Sequence, residues 1–438
     1  MHLYLNNLRE LPNFGCRTTG NALEELLKIN NIIEEYDATE SASDPGAWAA
    51  YAKVPLKDGG IVPRSIYDKL FSIRRDIPKI FRAMQWIDKI FGASHDYITN
   101  DPNKSIIKYR KFSKSAPELS NLENKILQSE GIIINGEGTL IFGNPTQRDA
   151  LYLLFVIALA KELKRPVYLL NAMISSCPYS GENLPLLRSA KSLLKYCKLI
   201  SVRESKSYEY VAALSGESNL RHIPDALFTW GPRIRYCVEA VRKEPKLCIS
   251  HPDNLPKTDL VFDRPYVCIS GSSSAWRYKE KIHDQFVKLI NHLKEVGQSV
   301  ICVETCDGDN FLEKAAKECN VFFLPKRTPI MAAMGVLAGA QIYITGRYHP
   351  AIMASANGVP CIFLTSNSHK TTSIQLLLGY ENIREYPVCP DDDEIADILK
   401  HAKETLANRV DVSHQIYGEF ERRRIEASEY VNIVESQS

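Results

Sequence analysis

Short apolar runs alternate with helix-period segments, and they do so twice along the chain. In the first half, Ile132-Ile133-Ile134 runs into Asn135-Gly136-Glu137-Gly138-Thr139. Three branched residues followed by Gly-x-Gly predict a buried parallel strand that ends in a tight loop. Helical periodicity follows over 149–163, a strand over 166–171 and a helix over 187–197. A short strand over 199–204 ends in charges, a helix covers 207–214, and residues 222–228 close this half. Strands alternating with helices predict a parallel sheet. Upstream, residues 3–5 read as a first strand. Residues 13–21, rich in Gly, Thr and Asn, read as a turn before a helix at 22–29. Residues 38–120 lack this rhythm and read as a partly helical insertion facing an acceptor.

The pattern then restarts. Residues 241–262, with Pro245, Pro252 and Pro256, read as a linker. Strands are expected at 266–270, 299–304, 321–324, 341–345 and 359–364. Helices are expected between them at 279–296, 310–319, 330–338 and 351–356, and a polar helical tail begins at Asp391. The expected architecture is α/β, with two Rossmann-like domains (1–240 and 263–438) facing across a cleft. In such sheets, ligands bind at the carboxyl ends of the strands.

Composition narrows the classes. Lys and Arg number 54 against 52 Asp and Glu, a net charge of +2, so nothing draws the whole chain toward nucleic acid. The 11 cysteines are odd in number, form no CxxC pair, and several sit in apolar runs, as expected for reduced thiols in a cytoplasmic protein. No Cys/His cluster has zinc spacing, so no metal is expected. The first residues lack a signal-peptide pattern, and the longest apolar run, 150–160, is too short to span a bilayer. The expectation is a soluble chain, compatible with peripheral contact at the inner face of the membrane.

Every candidate for chemistry lies at an expected strand end. In Gly346-Arg347-Tyr348-His349-Pro350, Arg347 offers a planar fork for carboxylate or phosphate, and His349 can act as general acid. The bland alternative is a surface ion pair and a packed histidine. Arg203, in Ser201-Val202-Arg203-Glu204, is a second strand-end arginine, whose bland alternative is a salt bridge to Glu204. Gly136 lets backbone approach a ligand, and Glu137 beside it is a candidate base or hydroxyl anchor. Asn13, Gly15 and Arg17 form a candidate loop. Ser272 lies in a serine-rich turn with donors for phosphate, and Lys370 is a point charge or a solvated surface lysine. Asp307-Gly308-Asp309 has the form of a metal–nucleotide site and reads as surface. No GxxxxGK[ST] or GxGxxG segment occurs.

In order, these pieces resemble the polysaccharide pyruvyl transferase family. They are Asn13-x-Gly15, the 135–139 segment, Ser201-x-Arg203-Glu204-x-x-Ser207 and Pro224-Asp225-x-x-Phe228. Then come Gly346-Arg347-Tyr348-His349-Pro350-Ala351 and Gly358-Val359-Pro360, with Lys370 after them. Cys16 departs from the pattern, which has Asp there. The resemblance implies a GT-B-like fold and transfer of the pyruvyl group of phosphoenolpyruvate onto a sugar as a ketal, with phosphate released and no cofactor. The acceptor would be a cell-surface polysaccharide or its lipid-linked precursor. Arg203 and Arg347 would hold the donor, Tyr348 would line the site, and His349 would hold the donor or serve as acid. The alternatives are a GT-B glycosyltransferase using a nucleotide sugar, and a binding protein that has kept the fold alone.

Overall fold

The computed structural model describes residues 3–6, 13–29, 55, 60–71, 77–243, 264–278 and 281–432. The expected linker falls almost wholly outside them, as do large parts of the segment 38–76. The chain divides into two compact units. One comprises 1–11, 23–223 and 430–438, the other 12–22 and 224–429.

The first unit holds five parallel strands: β1 (Leu3–Asn6), β2 (Gly131–Phe142), β3 (Val167–Ser176), β4 (Leu199–Val202) and β5 (Leu220–His222). They lie side by side in chain order. The helix Arg148–Glu162 is buried at every position from Ala150 to Ala160, which is the signature of a helix enclosed in the core. Against it packs Pro102–Ser113, started by Asp101, whose side chain accepts from the Asn103 and Lys104 amides. Tyr97, Tyr109 and Phe155 meet with centroids 5.0–5.3 Å apart. The expected insertion thus ends well before residue 120, because Tyr97, Ile106 and Tyr109 belong to this core.

The expected loop at 135–139 is instead strand. β2 continues to Phe142 because Leu140, Ile141 and Phe142 supply a further buried apolar run. Gly136 and Glu137 stay in register with β3, and Gly138 is absorbed by an irregularity in the pairing between Glu137 and Leu140.

The second unit holds six parallel strands: β6 (Tyr266–Ser272), β7 (Ser299–Val303), β8 (Phe322–Leu324), β9 (Ile342–Gly346), β10 (Cys361–Leu364) and β11 (Glu385–Tyr386). Their spatial order is β8-β7-β6-β9-β10-β11. That is the Rossmann order, in which the chain reverses its direction of travel between β6 and β9. The division falls after Ile223, not after residue 240. The helix Gly231–Lys243 packs on Ile330–Ala338, where Gly335 admits the Cys237 carbonyl. Phe228 meets Phe420 at 5.0 Å. The tail forms two helices: Asp392–Ala407, begun by an Asp391/Glu394 capping box, and Arg409–Ala427. Beyond them Tyr430 is buried in the first unit, where its hydroxyl lies 3.3 Å from the Ile223 carbonyl. Among the described residues no helix is long and apolar enough to cross a membrane.

Candidate functional site

The crevice-forming point of the second sheet lies where β6 and β9 adjoin. Ser272 at the end of β6 is in register with Gly346 at the end of β9. A Cβ on Gly346 would overlap Ser272, so glycine is needed for this approach. The Ser272 hydroxyl donates to the Thr365 carbonyl at 2.5 Å and accepts from the Ser274 amide at 3.2 Å. Its expected place in a turn is corrected, since β6 runs through it and its proton ties the ends of β6 and β10 together.

Arg347 is the N-cap of the helix Tyr348–Ser355, whose first turn carries Tyr348 and His349. The helix begins three residues earlier than expected, because Pro350 suits its first turn. Arg347 is no surface residue in a solvated pair. Its Nη2 donates to Asp309 Oδ1 at 2.5 Å. Asp309 is fully buried, and its other oxygen accepts from the Thr305 amide at 3.1 Å and hydroxyl at 2.6 Å. Gly271 makes room for this carboxylate. Burial opposes charge on Arg347, but the Asp309 carboxylate outweighs it and holds the guanidinium above its ordinary pKa. Its Nε is buried with no hydrogen-bond partner among the described residues. The expectation that Asp309 lies at the surface is therefore corrected. Asp309 is the counter-ion of Arg347, and Asp307 Oδ1 lies 3.0 Å from Lys326 Nζ.

His349 is held by a buried acid. Its Nε2 lies 3.2 Å from Asp225 Oδ2. Asp225 Oδ1 accepts from the Thr19 hydroxyl at 2.6 Å and the Leu227 amide at 2.9 Å. The carboxylate accepts, so the imidazole carries a proton on Nε2 and turns Nδ1 toward Gly15. A Cβ at Gly15 would overlap that nitrogen. Tyr348 stands edge-on to His349 at 5.4 Å.

The stretch 13–21 is helix, not turn. Asn13 Oδ1 accepts from the Gly15 amide at 2.8 Å and starts the helix Phe14–Ile29. The Phe14 amide donates to the Thr305 carbonyl at 3.0 Å. Arg17 turns to backbone, with Nη2 donating to the Lys326 carbonyl at 2.7 Å, and burial lowers its pKa. Lys370 Nζ donates to Asn367 Oδ1 at 3.2 Å, at the end of β10.

The remaining candidates lie in the first unit. Arg203 is fully buried after β4, with Nε 3.5 Å from Glu204 Oε2. Glu204 in turn accepts from the Ser207 hydroxyl. Glu137 is buried at φ +40°, and Asn171 is fully buried at φ +54°. Asn135 joins them. Its amide nitrogen lies 3.4 Å from Glu137 Oε1, and its oxygen accepts from Asn171 at 3.2 Å. Gly136 faces Ala172, whose Cβ would lie 2.5 Å from an added one.

The family model of polysaccharide pyruvyl transferases matches residues 65–368. The chain belongs to this family. No curated protein sequence matches it. Among solved structures it is similar to a UDP-forming trehalose-phosphate synthase from Burkholderia xenovorans, at 11% identity and TM-score 0.52 with 99% of each chain covered. It is also similar to a UDP-GlcNAc 2-epimerase from Neisseria meningitidis, at 11% identity and TM-score 0.51, covering 99% of this chain and 98% of that one. At that identity the likeness shows the fold, the α/β class of two Rossmann-like units found in GT-B enzymes.

This pyruvyl transferase family member is a transferase, and the resemblance read from its motifs holds. Within the second unit its structure brings together Asn13, Gly15, Arg347, Tyr348 and His349. Sequence reasoning gave no role to Asp225, Thr19 or Thr305, and it read Asp309 only within the Asp307-Gly308-Asp309 segment. Asp225 stood in a motif of the family, and Asp309 follows a strand, so the strand-end rule that selected Arg347 could have selected both. Such a set can hold an anion and move a proton beside it. Among the described residues no group of three or more His, Cys, Asp or Glu side chains is arranged to hold a metal ion.

Proposed function

We propose that this transferase moves the pyruvyl group of phosphoenolpyruvate onto two hydroxyls of one sugar, in a cell-surface polysaccharide or its lipid-linked precursor. The observation that carries the reading is the pairing of a buried arginine with an acid-held histidine at the opening of one helix. Arg347 and the helix amides attract the anionic donor, and the orphaned Arg347 Nε supports a donor oxygen as its partner.

Protonated His349 delivers its proton to the methylene carbon, leaving an oxocarbenium-like C2. A sugar hydroxyl adds there, and its proton returns to the imidazole. The C2–O bond to phosphate then breaks, and phosphate takes that proton. A second hydroxyl of the same sugar closes the ketal and reprotonates His349. One proton ends on the new methyl group and one on phosphate, so the imidazole is restored. Asp225 keeps the ring oriented through the cycle. Lys370 is proposed as a further charge toward the donor, Arg203 stays a proposal resting on the family resemblance, and Glu137 stays a proposed base on the chemistry of its carboxylate alone. The free cysteines support a reducing, cytoplasmic setting.

The test is incubation with phosphoenolpyruvate and a panel of glycan and lipid-linked acceptors. Phosphate release matched by a pyruvyl gain in acceptor mass is expected. Thermal stabilisation by nucleotide sugars, without turnover of phosphoenolpyruvate, would replace this reading with a glycosyltransferase.

A further inference from the structure

The helix Pro78–Ile90 has two unlike faces. Phe81, Met84 and Asp88 are buried. Phe81 meets Tyr67 edge-on at 5.6 Å, and Asp88 accepts from the Tyr67 hydroxyl at 2.7 Å. The helix's single acid is thus turned inward. On the other side Lys79, Ala83, Trp86 and Ile90 follow one another at spacings of four, three and four, all exposed. Such spacing lines one stripe of a helix. Trp86 is 64% exposed, and Phe91, which caps the helix, is 66% exposed. Arg82 and Lys89, seven residues apart, flank the stripe, with Ile80 on its other side. Among the described residues none of Lys79, Arg82 and Lys89 forms an ion pair.

The next helix repeats the pattern more weakly. Pro102–Ser113 contains no acid, and Lys104, Ile107, Lys108 and Lys111 are exposed on one side of it.

We propose that the exposed face of Pro78–Ile90, with Phe91, docks on an anionic lipid bilayer. An exposed tryptophan and phenylalanine beside isoleucines match the depth of the headgroup boundary, and flanking Lys and Arg reach anionic headgroups on long stems. A chain of net charge +2 has no global attraction for such a surface, so the complementarity is local to this face. Docking there would hold the transferase at the surface that carries lipid-linked glycans. The inference does not depend on the donor chemistry, because lipid binding is read without turnover.

The experiment is flotation of the full chain with phosphatidylcholine vesicles, with and without phosphatidylglycerol. Binding is expected to the anionic vesicles alone and to weaken with salt. The triple variant Trp86→Ser/Ile90→Ser/Phe91→Ser is expected to lose it. Lys79→Glu/Arg82→Glu/Lys89→Glu is expected to weaken it on the order of 100-fold. Both variants should keep the wild-type melting temperature. Failure of the wild type to float with anionic vesicles, or flotation of either variant like the wild type, overturns the proposal. So does a smaller oligomer for the Trp86 variant in sedimentation, which would make this face a contact between copies.

Discussion

Both units end an apolar strand in an arginine, yet the two arginines meet different fates. Arg203 follows β4 in a sheet whose strands lie in chain order, and it is fully buried beside its own neighbour Glu204. Arg347 follows β9, where the strand order reverses, and its counter-ion comes from a separate loop after β7. In a sequential sheet the connections all pass the same way and leave no gap between adjacent strand ends. A reversal sends neighbouring connections apart and opens room for a ligand. The first unit bonds its polar side chains Asn135, Glu137 and Asn171 to one another within β2 and β3, and keeps Arg203 beside Glu204 at a strand end. The second arrays Arg347 and His349 there, each backed by a buried carboxylate.

The comparison predicts where substitutions act. The largest effect belongs to His349→Ala, expected to lower turnover about 10²- to 10⁴-fold if it transfers protons. Asp225→Asn should cost about 10²-fold through a misdirected ring. Phosphate release from phosphoenolpyruvate measures both, and wild-type rates in both would remove the second unit's claim to the chemistry. Next comes Arg347→Ala, which strands the buried Asp309 charge and should cost about 3–5 kcal/mol in denaturant unfolding. Adding Asp309→Asn should recover part of that, whereas additive losses would mean the two groups are not coupled. Gly15→Ala should cost about 1–3 kcal/mol by crowding His349, together with a fall in turnover.

A smaller effect tests the first unit. Glu137→Gly relieves a left-handed backbone but strips buried Asn135 of a partner, and should destabilise by about 1 kcal/mol net. Retained turnover would assign Glu137 to architecture, while its loss would restore the carboxylate as a candidate base. The smallest concerns His401, whose pKa burial lowers, with Arg384 adding to the effect. The folded state then binds fewer protons than the unfolded chain, so stability falls as pH drops through the ordinary histidine range toward the lowered value. His401→Gln should flatten that acid slope in thermal melts.

The alternation of strands and helices was legible because buried parallel strands read as apolar runs. β9 shows this, running over Ile342–Gly346 against the expected 341–345. Strand ends were harder to read. Gly136 and Gly138 look like loop residues, but the apolar run 140–142 and a pairing irregularity carry β2 past them. At 13–21, Asn13 starts a helix that its Gly and Thr content disguised. Local pattern predicts that an arginine stands at a strand end, but strand order decides whether that end lies at a crevice, and strand order is set by pairing between distant segments. The partnerships of Asp225 and Asp309 were hidden for the same reason, since each gains its meaning from a residue 124 or 38 positions away.

The chain passes between the two units four times, at 11/12, 22/23, 223/224 and 429/430. Neither unit can therefore be obtained as one continuous fragment. Expression of 224–438 alone would omit Gly15 and Thr19, and with them the packing around His349 and one of the donors to Asp225. Expression of 1–223 alone would lack Tyr430. Dissecting this enzyme by truncation would yield incomplete pieces, and a circularly permuted or co-expressed pair is the form in which the halves could be studied.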